Sequence, residues 1–287
     1  MSSLFPDSLS RPYLPPFRTL LVKGSYHPSA PIHLCFSHTR TQPHSKTVFL
    51  TPSRSNFKRS LEEYNDDWLT TNSGLGKIAE ISSRIEVFYP PSPAHLELFL
   101  SMIRTYEHSD GTQYDAKTTL DATPPLIVLH EPSTYFLGAN TEGSYTVSSY
   151  LSLVAHALAS VTFLSAHNDR KESISFALFD SQLDRLKLPV LRSPRISNDP
   201  EEDAEQSPRL ESMAGLVQKY FEWVAVFDKL DSASDEEGDV QNQRRNRLRL
   251  YQTARPHEDG ITMWHWVEHD GPERGNSDRR GTVFSWQ

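Results

Sequence analysis

Cysteine, glycine and uninterrupted apolar sequence are all scarce in this chain of 287 residues. Its one cysteine, Cys35, excludes an intramolecular disulfide and any zinc site built on clustered cysteines, the usage expected of an intracellular chain. No run of about 18 apolar residues occurs, so no membrane-spanning helix is expected. The first residues lack the apolar stretch of a secretory signal and carry Pro6, Pro12, Pro15 and Pro16, which predicts a disordered arm over residues 1–17. Twelve glycines against 20 prolines predict that much of the remainder is loop. The most consequential absence is local. Leu20-Leu21-Val22-Lys23-Gly24 reads as a short buried strand, and Ser25-Tyr26-His27-Pro28-Ser29-Ala30-Pro31 follows it. A phosphate cradle at that position needs several backbone N–H groups converging on one anion at a helix N-terminus. Proline supplies no N–H, two prolines flank a bulky Tyr and His, and no lysine ends the loop. A nucleotide-binding fold with this loop has lost its first site, at Gly24, Ser25 and Pro31.

The formal charge of −8 is unevenly placed. Asp199–Glu211 holds six acids and one base, and Asp228–Asp239 the same, −5 in each. Without those two runs the remainder stands at +2, so they read as solvated, disordered acidic insertions, at about 192–211 and 228–243. Ser207, Ser232 and Ser234 beside them are candidate phosphorylation sites, although exposed serines in acidic loops need no such role.

Apolar runs alternate with helical periods over the first two-thirds. Strands are predicted at 19–23, 47–51, 84–89, 125–130 and 173–179. A stunted helix is predicted over 31–39, with longer ones at 56–68, at 92–103 behind the Ser92 cap, and at 147–165. Leu126–Leu129 is apolar on both faces, as a central parallel strand should be. A short helix over 213–220 precedes strands at 222–227, 247–254, 261–268 and 281–286, which lack intervening helices and predict antiparallel hairpins. Residues 18–287 thus form one α/β domain: a mostly parallel sheet flanked by helices, with antiparallel C-terminal strands.

That order matches a RecA-like, P-loop-type ATPase core, and two further positions depart from it. The strand that should end in a magnesium-holding aspartate ends in His130, a poor ligand for hard Mg²⁺, and Glu131, one residue on, faces the other way if the strand continues. The second strand ends in Thr51-Pro52 rather than a glutamate. His130 reads as a strand-end histidine paired to backbone or solvent. Trp264 and Trp266 alternate with His265 and Val267 as in a strand, which sets His265 and His269 about 13 Å apart and disfavours zinc. No G-x-S-x-G elbow is present. No metal, cofactor or catalytic residue is expected. Arg244, Arg245, Arg247 and Arg249 are either a solvated strand edge or a phosphate-contacting strip with Tyr251 for stacking, and Arg192, Arg195, Arg279 and Arg280 are candidates to widen that strip. Phe5 and Ser8 resemble a Phe-x-x-Ala docking tether only in outline.

Thr47–Pro52, Ile85–Ser92 with its Tyr-Pro-Pro-Ser turn, Leu96–Phe99, Leu126–Leu129 and Leu216–Phe221 together resemble the SWIM-zinc-finger-associated recombination proteins, divergent RecA-like subunits of Shu-type complexes. The resemblance covers residues 18–270 in patches. It implies a nuclear protein, not bound to membrane. Such a protein pairs with a SWIM-domain zinc-finger protein and promotes a RecA-family recombinase on single-stranded DNA in homologous recombination. Some relatives keep a phosphate loop; the departures at Ser25–Pro31 and His130 make this chain a pseudo-ATPase. Two alternatives stay open: an ATPase rewired around Lys23 or Lys46, and a RecA-like subunit of an Elongator-type tRNA-modification assembly, since those also lack phosphate loops.

Overall fold

A computed structural model describes residues 2–7, 11–42, 45–105, 118–137, 145–166, 173–190, 209–230, 244–254, 260–271 and 281–286. The strands are β1 (Thr19–Gly24), β2 (Thr47–Leu50), β3 (Ile85–Phe88), the short pair β4 (Arg104–Thr105) and β5 (Thr119–Leu120), then β6 (Leu126–His130) and β7 (Ser175–Asp180). A second short pair, β8 (Lys187–Pro189) and β9 (Leu210–Ser212), precedes β10 (Trp223–Lys229), β11 (Arg244–Gln252), β12 (Thr262–Asp270) and β13 (Thr282–Trp286). The helices are α1 (Ala30–Thr41), α2 (Arg54–Tyr64), α3 (Asp67–Asn72), α4 (Gly76–Ser83), α5 (Pro93–Met102), α6 (Val147–Ala166) and α7 (Met213–Val217).

Nine strands form one sheet in the order β13-β12-β11-β10-β1-β7-β6-β2-β3. From β10 to β3 all neighbours run parallel, whereas β11, β12 and β13 are antiparallel additions beyond β10. The period-two side-chain alternation sends residues of each strand into two cores. Leu21, Val48, Leu50, Ile127, Leu129, Phe176 and Val224 face α5, α6 and α7. Leu20, Val22, Phe49, Leu126, Val128, Phe179, Phe227 and Leu248 face α1 and the N-terminal segment. β6 and β7 are buried throughout, as central strands under two helical layers must be.

The helices follow local chemistry. Ser92 caps α5 by accepting from His95 N (3.3 Å), with Pro93 in the first turn and Leu96 and Leu100 inward. The helix predicted over 56–68 is broken instead: Asn65 adopts a positive φ of 33°, and Asp66 then caps α3 through Leu69 N (3.1 Å). α1 is a full helix rather than a stunted one, because Pro31 sits in its first turn, where no intrahelical donor is lost. Among the described residues α6 is long and apolar enough, by composition, to cross a bilayer. Its Tyr150, Leu153, Val154, Ala157, Val161 and Leu164 are instead buried in the core beside the sheet.

Two sequence expectations are corrected. The N-terminal segment is not a loose arm: Leu4 and Phe5 are 2% and 3% exposed. Ser3 Oγ donates to Pro12 O (2.8 Å), and Leu14 N to Ser2 O (2.8 Å), so the segment folds back on itself against α1. Phe5 enters a box of Phe227, Trp266, Phe284 and Trp286, with ring centroids 4.5–6.0 Å away. A tether available to another protein cannot be buried there; Ser8 lies outside the described residues. The acidic insertions are also shorter than predicted. Asp228 and Lys229 complete β10, and Leu210–Ser212 is β9, paired with β8. Residues 192–208 and 231–243 of the two insertions lie outside the described residues, and Ser207, Ser232 and Ser234 with them.

Truncating Phe5 leaves a cavity among four aromatic rings. Phe5→Ala should lower stability by about 3–5 kcal/mol in urea denaturation, the usual scale for a buried Phe. A loss below about 1 kcal/mol would show that the segment is not part of the core.

Candidate functional site

The carboxyl ends of β1, β2, β6, β7 and β10 open into one cleft of about 690 Å³, where open α/β sheets bind ligands. What stands at its floor is set by Gly24. Its φ is +86°, and a Cβ there would lie 2.2 Å from Phe227 O, so only glycine permits this turn against β10. Ser25 N donates to the same carbonyl (3.1 Å). The turn throws Tyr26 inward, where its ring meets Phe179 (5.4 Å) and Phe227 (6.1 Å) edge-on and its hydroxyl donates to Glu131 Oε1. Burial first, then the Glu131 carboxylate, pushes the phenol well above its ordinary pKa, so it stays a neutral donor.

The start of α1 offers no anion cradle. Ala30 N donates to His27 O (2.9 Å), Ser29 N to His27 Nδ1 (3.3 Å), and Pro31 has no N–H. An acid already serves this end. Ser29 Oγ donates to Asp66 Oδ2 (2.6 Å), and His33 Nε2 lies 2.7 Å from that oxygen. Burial works to raise the Asp66 pKa, but His33 and Ser29 outweigh it, and the carboxyl is held below its usual range. A negative group is thus fixed behind the helix start, which disfavours a phosphate in front of it.

The sequence places Glu131 on the far side of β6; the structure does not. β6 ends at His130, and Glu131 adopts a left-handed conformation (φ 52°, ψ 46°), which cancels the strand alternation. Its carboxylate thereby reaches Tyr26 and also accepts from Ser181 N (3.0 Å). Such backbone costs about 1–2 kcal/mol outside glycine. His130 is buried, stacks on Phe49 (5.7 Å), lies edge-on to Phe57 (5.1 Å) and reaches Thr51 Oγ1 (3.1 Å). Burial lowers its pKa against the opposing pull of Glu131, which favours the neutral ring among these aromatic neighbours. Its partner is therefore the Thr51 side chain, not the backbone or solvent expected. No cluster of three metal-ligating side chains exists among the described residues.

Asp180, at the end of β7, is the site residue that sequence reading missed. Fully buried, it accepts from Ser133 Oγ (2.6 Å), Tyr150 Oη (2.6 Å), Ser133 N (3.1 Å) and Gln182 N (3.1 Å). Burial, then the nearby Glu131 charge, raises its pKa to about 7. The signal was available: an acid directly follows the apolar run Ser175–Phe179 at the sheet end where sites form. Tyr26 carried none, because a tyrosine in a loop becomes a plug only once β6 and β7 are placed beside it.

Neither lysine considered for a rewired site is free for that role. Lys23 is bonded to Asp184 (2.7 Å). Lys46 pairs with Glu86 (2.8 Å) and Asp121 (2.5 Å) just before β2, at the edge of the sheet opposite the cleft. The four arginines of β11 do not form one strip, and β11 is no edge, since β10 and β12 flank it. Arg244 faces the cleft. Arg245, Arg247 and Arg249 alternate to the other face, where Arg247 and Arg249 hold Asp228 (3.1 and 2.8 Å). Three cations less one acid leave +2 on that face, beside Tyr251. Arg192, Arg195, Arg279 and Arg280 lie outside the described residues. His265 and His269 both belong to β12, as their alternation with tryptophan suggested.

Two buried groups give stability opposite pH slopes. Burial lowers His27 to about 4. The unfolded chain takes up that proton first, near pH 6.5, so stability present above about pH 6.5 is lost as pH falls toward 4. Asp180 is raised, so below about pH 7 the folded state holds its proton more tightly, and its contribution is lost as pH rises from about 4 to 7. In urea titrations across this range, His27→Gln should flatten the acid loss by roughly 1–3 kcal/mol, and Asp180→Asn should steepen it. Unchanged slopes in both variants would contradict these assignments. No protein-family model matches the chain, and no curated protein matches it either.

Proposed function

We propose that this chain is a non-catalytic RecA-like subunit in homologous recombination. It pairs with a SWIM-domain zinc-finger protein in the nucleus and supports a RecA-family recombinase on single-stranded DNA. A mostly parallel sheet with helices on both faces and antiparallel C-terminal strands is compatible with a RecA-like core. The sequence patches from Thr47 to Phe221 favour the recombination branch of that fold. A fold can serve as a binding scaffold after its chemistry has gone.

One observation carries the loss of catalysis: Tyr26 fills the floor of the phosphate position and is tied to Glu131. A triphosphate would have to displace a buried phenol, meet Glu131, and find first-turn amides already used. DNA contact falls to the face bearing Arg245, Arg247 and Arg249, with Tyr251 available for stacking. Arg247 and Arg249 are pre-positioned by Asp228, so they present guanidinium groups at reduced entropic cost.

Calorimetry with Mg·ATP should show no saturable binding; magnesium-dependent affinity in the micromolar range would defeat the proposal. Affinity purification should recover a SWIM-domain protein, and recovery of Elongator subunits instead would reassign the pathway. Replacing Arg245, Arg247 and Arg249 together by Gln should weaken single-stranded DNA binding of the partnered complex at least about tenfold and reduce its salt dependence. Unchanged DNA affinity would remove the DNA contact while leaving the partner assignment standing.

A further inference from the structure

The cleft survives although its phosphate floor is sealed, and its rim is cationic. At about 690 Å³ it lies within the range of small-molecule sites, roughly 300–1,000 Å³. Arg185, on the turn after β7, Lys229, at the end of β10, and Arg244, at the start of β11, all line it and are exposed. None of the three forms an ion pair among the described residues. The acids nearby are otherwise engaged: Glu131 with Tyr26 and Ser181 N, Asp184 with Lys23, and Glu268 with Trp266 Nε1 (3.1 Å). Glu131 is bonded only to neutral donors, which cancel no charge, and Glu268 lies in the field of Arg244 and Lys229, so three cations face two acids, and at the β10–β11 rim Lys229 and Arg244 face Glu268 alone.

The wall made by α2 is aromatic, and at its end Tyr64 stands beside Arg244 and Glu268. Phe57 and Tyr64 project from α2, with His130 below them, and Tyr64 is 38% exposed. Asn56, Ser53 and Ser60 add hydrogen-bonding groups along the same wall. A ligand that suits both sides has a planar ring at one end and an anion at the other. The anion end cannot lie over α1, where Tyr26 and Glu131 stand, so it belongs at the β10–β11 rim.

We propose that this cleft binds a nucleoside monophosphate unit, its phosphate between Lys229 and Arg244 and its base against Phe57 and Tyr64. The orientation places the anion at the strand ends rather than at the start of α1, and needs no magnesium. The unit is either a free nucleotide or the 5′-phosphorylated end of a DNA strand, which present the same phosphomonoester beside a ring. This site rests on the reading that the phosphate loop is sealed, and it is independent of the SWIM-domain partner.

Calorimetry on the full chain with AMP in the presence of EDTA tests it. AMP should bind saturably below about 1 mM, with the Lys229→Gln/Arg244→Gln double variant weakening binding at least tenfold and Tyr64→Ala at least threefold. All three side chains are exposed, so the variants should fold, which circular dichroism checks. Absence of AMP binding, indifference to the double variant, or equal affinity for inorganic phosphate would each overturn the assignment. An oligothymidine bound more tightly with a 5′-phosphate than with a 5′-hydroxyl identifies the strand end as the source; no difference identifies the free nucleotide. Mg·ATP binding at least 100-fold tighter than AMP, and lost in EDTA, would overturn the sealed loop itself. Failure of AMP with no ATP binding would remove the cleft site only.

Discussion

The contact between the Tyr26 hydroxyl and the Glu131 carboxylate organises the centre of this molecule, and two backbone conditions make it possible. Gly24 turns the chain within van der Waals contact of Phe227 O, where any side chain would collide. Glu131 takes a left-handed conformation that brings an acid back across the end of β6. The strained acid is held by two donors, Tyr26 Oη and Ser181 N, and this joins the carboxyl ends of β1, β6 and β7. Asp180 sits immediately behind, anchoring the turn after β6 and the first turns of α6 through Ser133 and Tyr150. A buried Asp180 so near the half-buried Glu131 is tolerable because each acid is given hydrogen-bond donors and Asp180 is raised toward neutrality.

This arrangement replaces an exchangeable anion with a permanent network of the protein's own groups. A nucleotide-gripping loop leaves backbone donors open for its ligand; here the donors are closed by His27 and Pro31, and the ligand's place is taken by a phenol. The Tyr26–Glu131 contact therefore contributes to the fold at the carboxyl ends of β1 and β6. The cleft above lies between α2 and the β10–β11 rim, and His27 of the loop meets the end of α2 at Tyr64.

The C-terminal antiparallel strands depend on a different contact. Their inner face is rich in large rings, Trp264, Trp266, Phe284 and Trp286; the N-terminal segment covers it, with Phe5 as the inserted side chain, and α3 meets the last strand, β13. The outer face carries Arg245, Arg247 and Arg249 and stays open. The two faces of one hairpin array thus differ: one is buried by the chain's own N-terminus, the other carries the three arginines.

The sequence by itself determined the layer order. Apolar strands with helices between them, then strands without helices, specify a parallel sheet with an antiparallel tail, because side-chain periodicity is local. It also determined that the loop from Ser25 to Pro31 is poor in free backbone donors, since proline and bulk are properties of the residues themselves. Helix ends with side-chain caps, such as Ser92, were legible for the same reason. Tertiary structure alone decided what occupies the emptied place, which way Glu131 points, that Asp180 lies behind it, and that Arg244 parts from Arg245, Arg247 and Arg249. Each of these depends on a backbone twist or a neighbouring strand distant in sequence: one positive φ reverses the facing of Glu131, and Phe5 meets Trp286 only because the sheet brings both chain ends to one face. Local pattern carries the period of a strand, but not the partner that the strand will be laid beside.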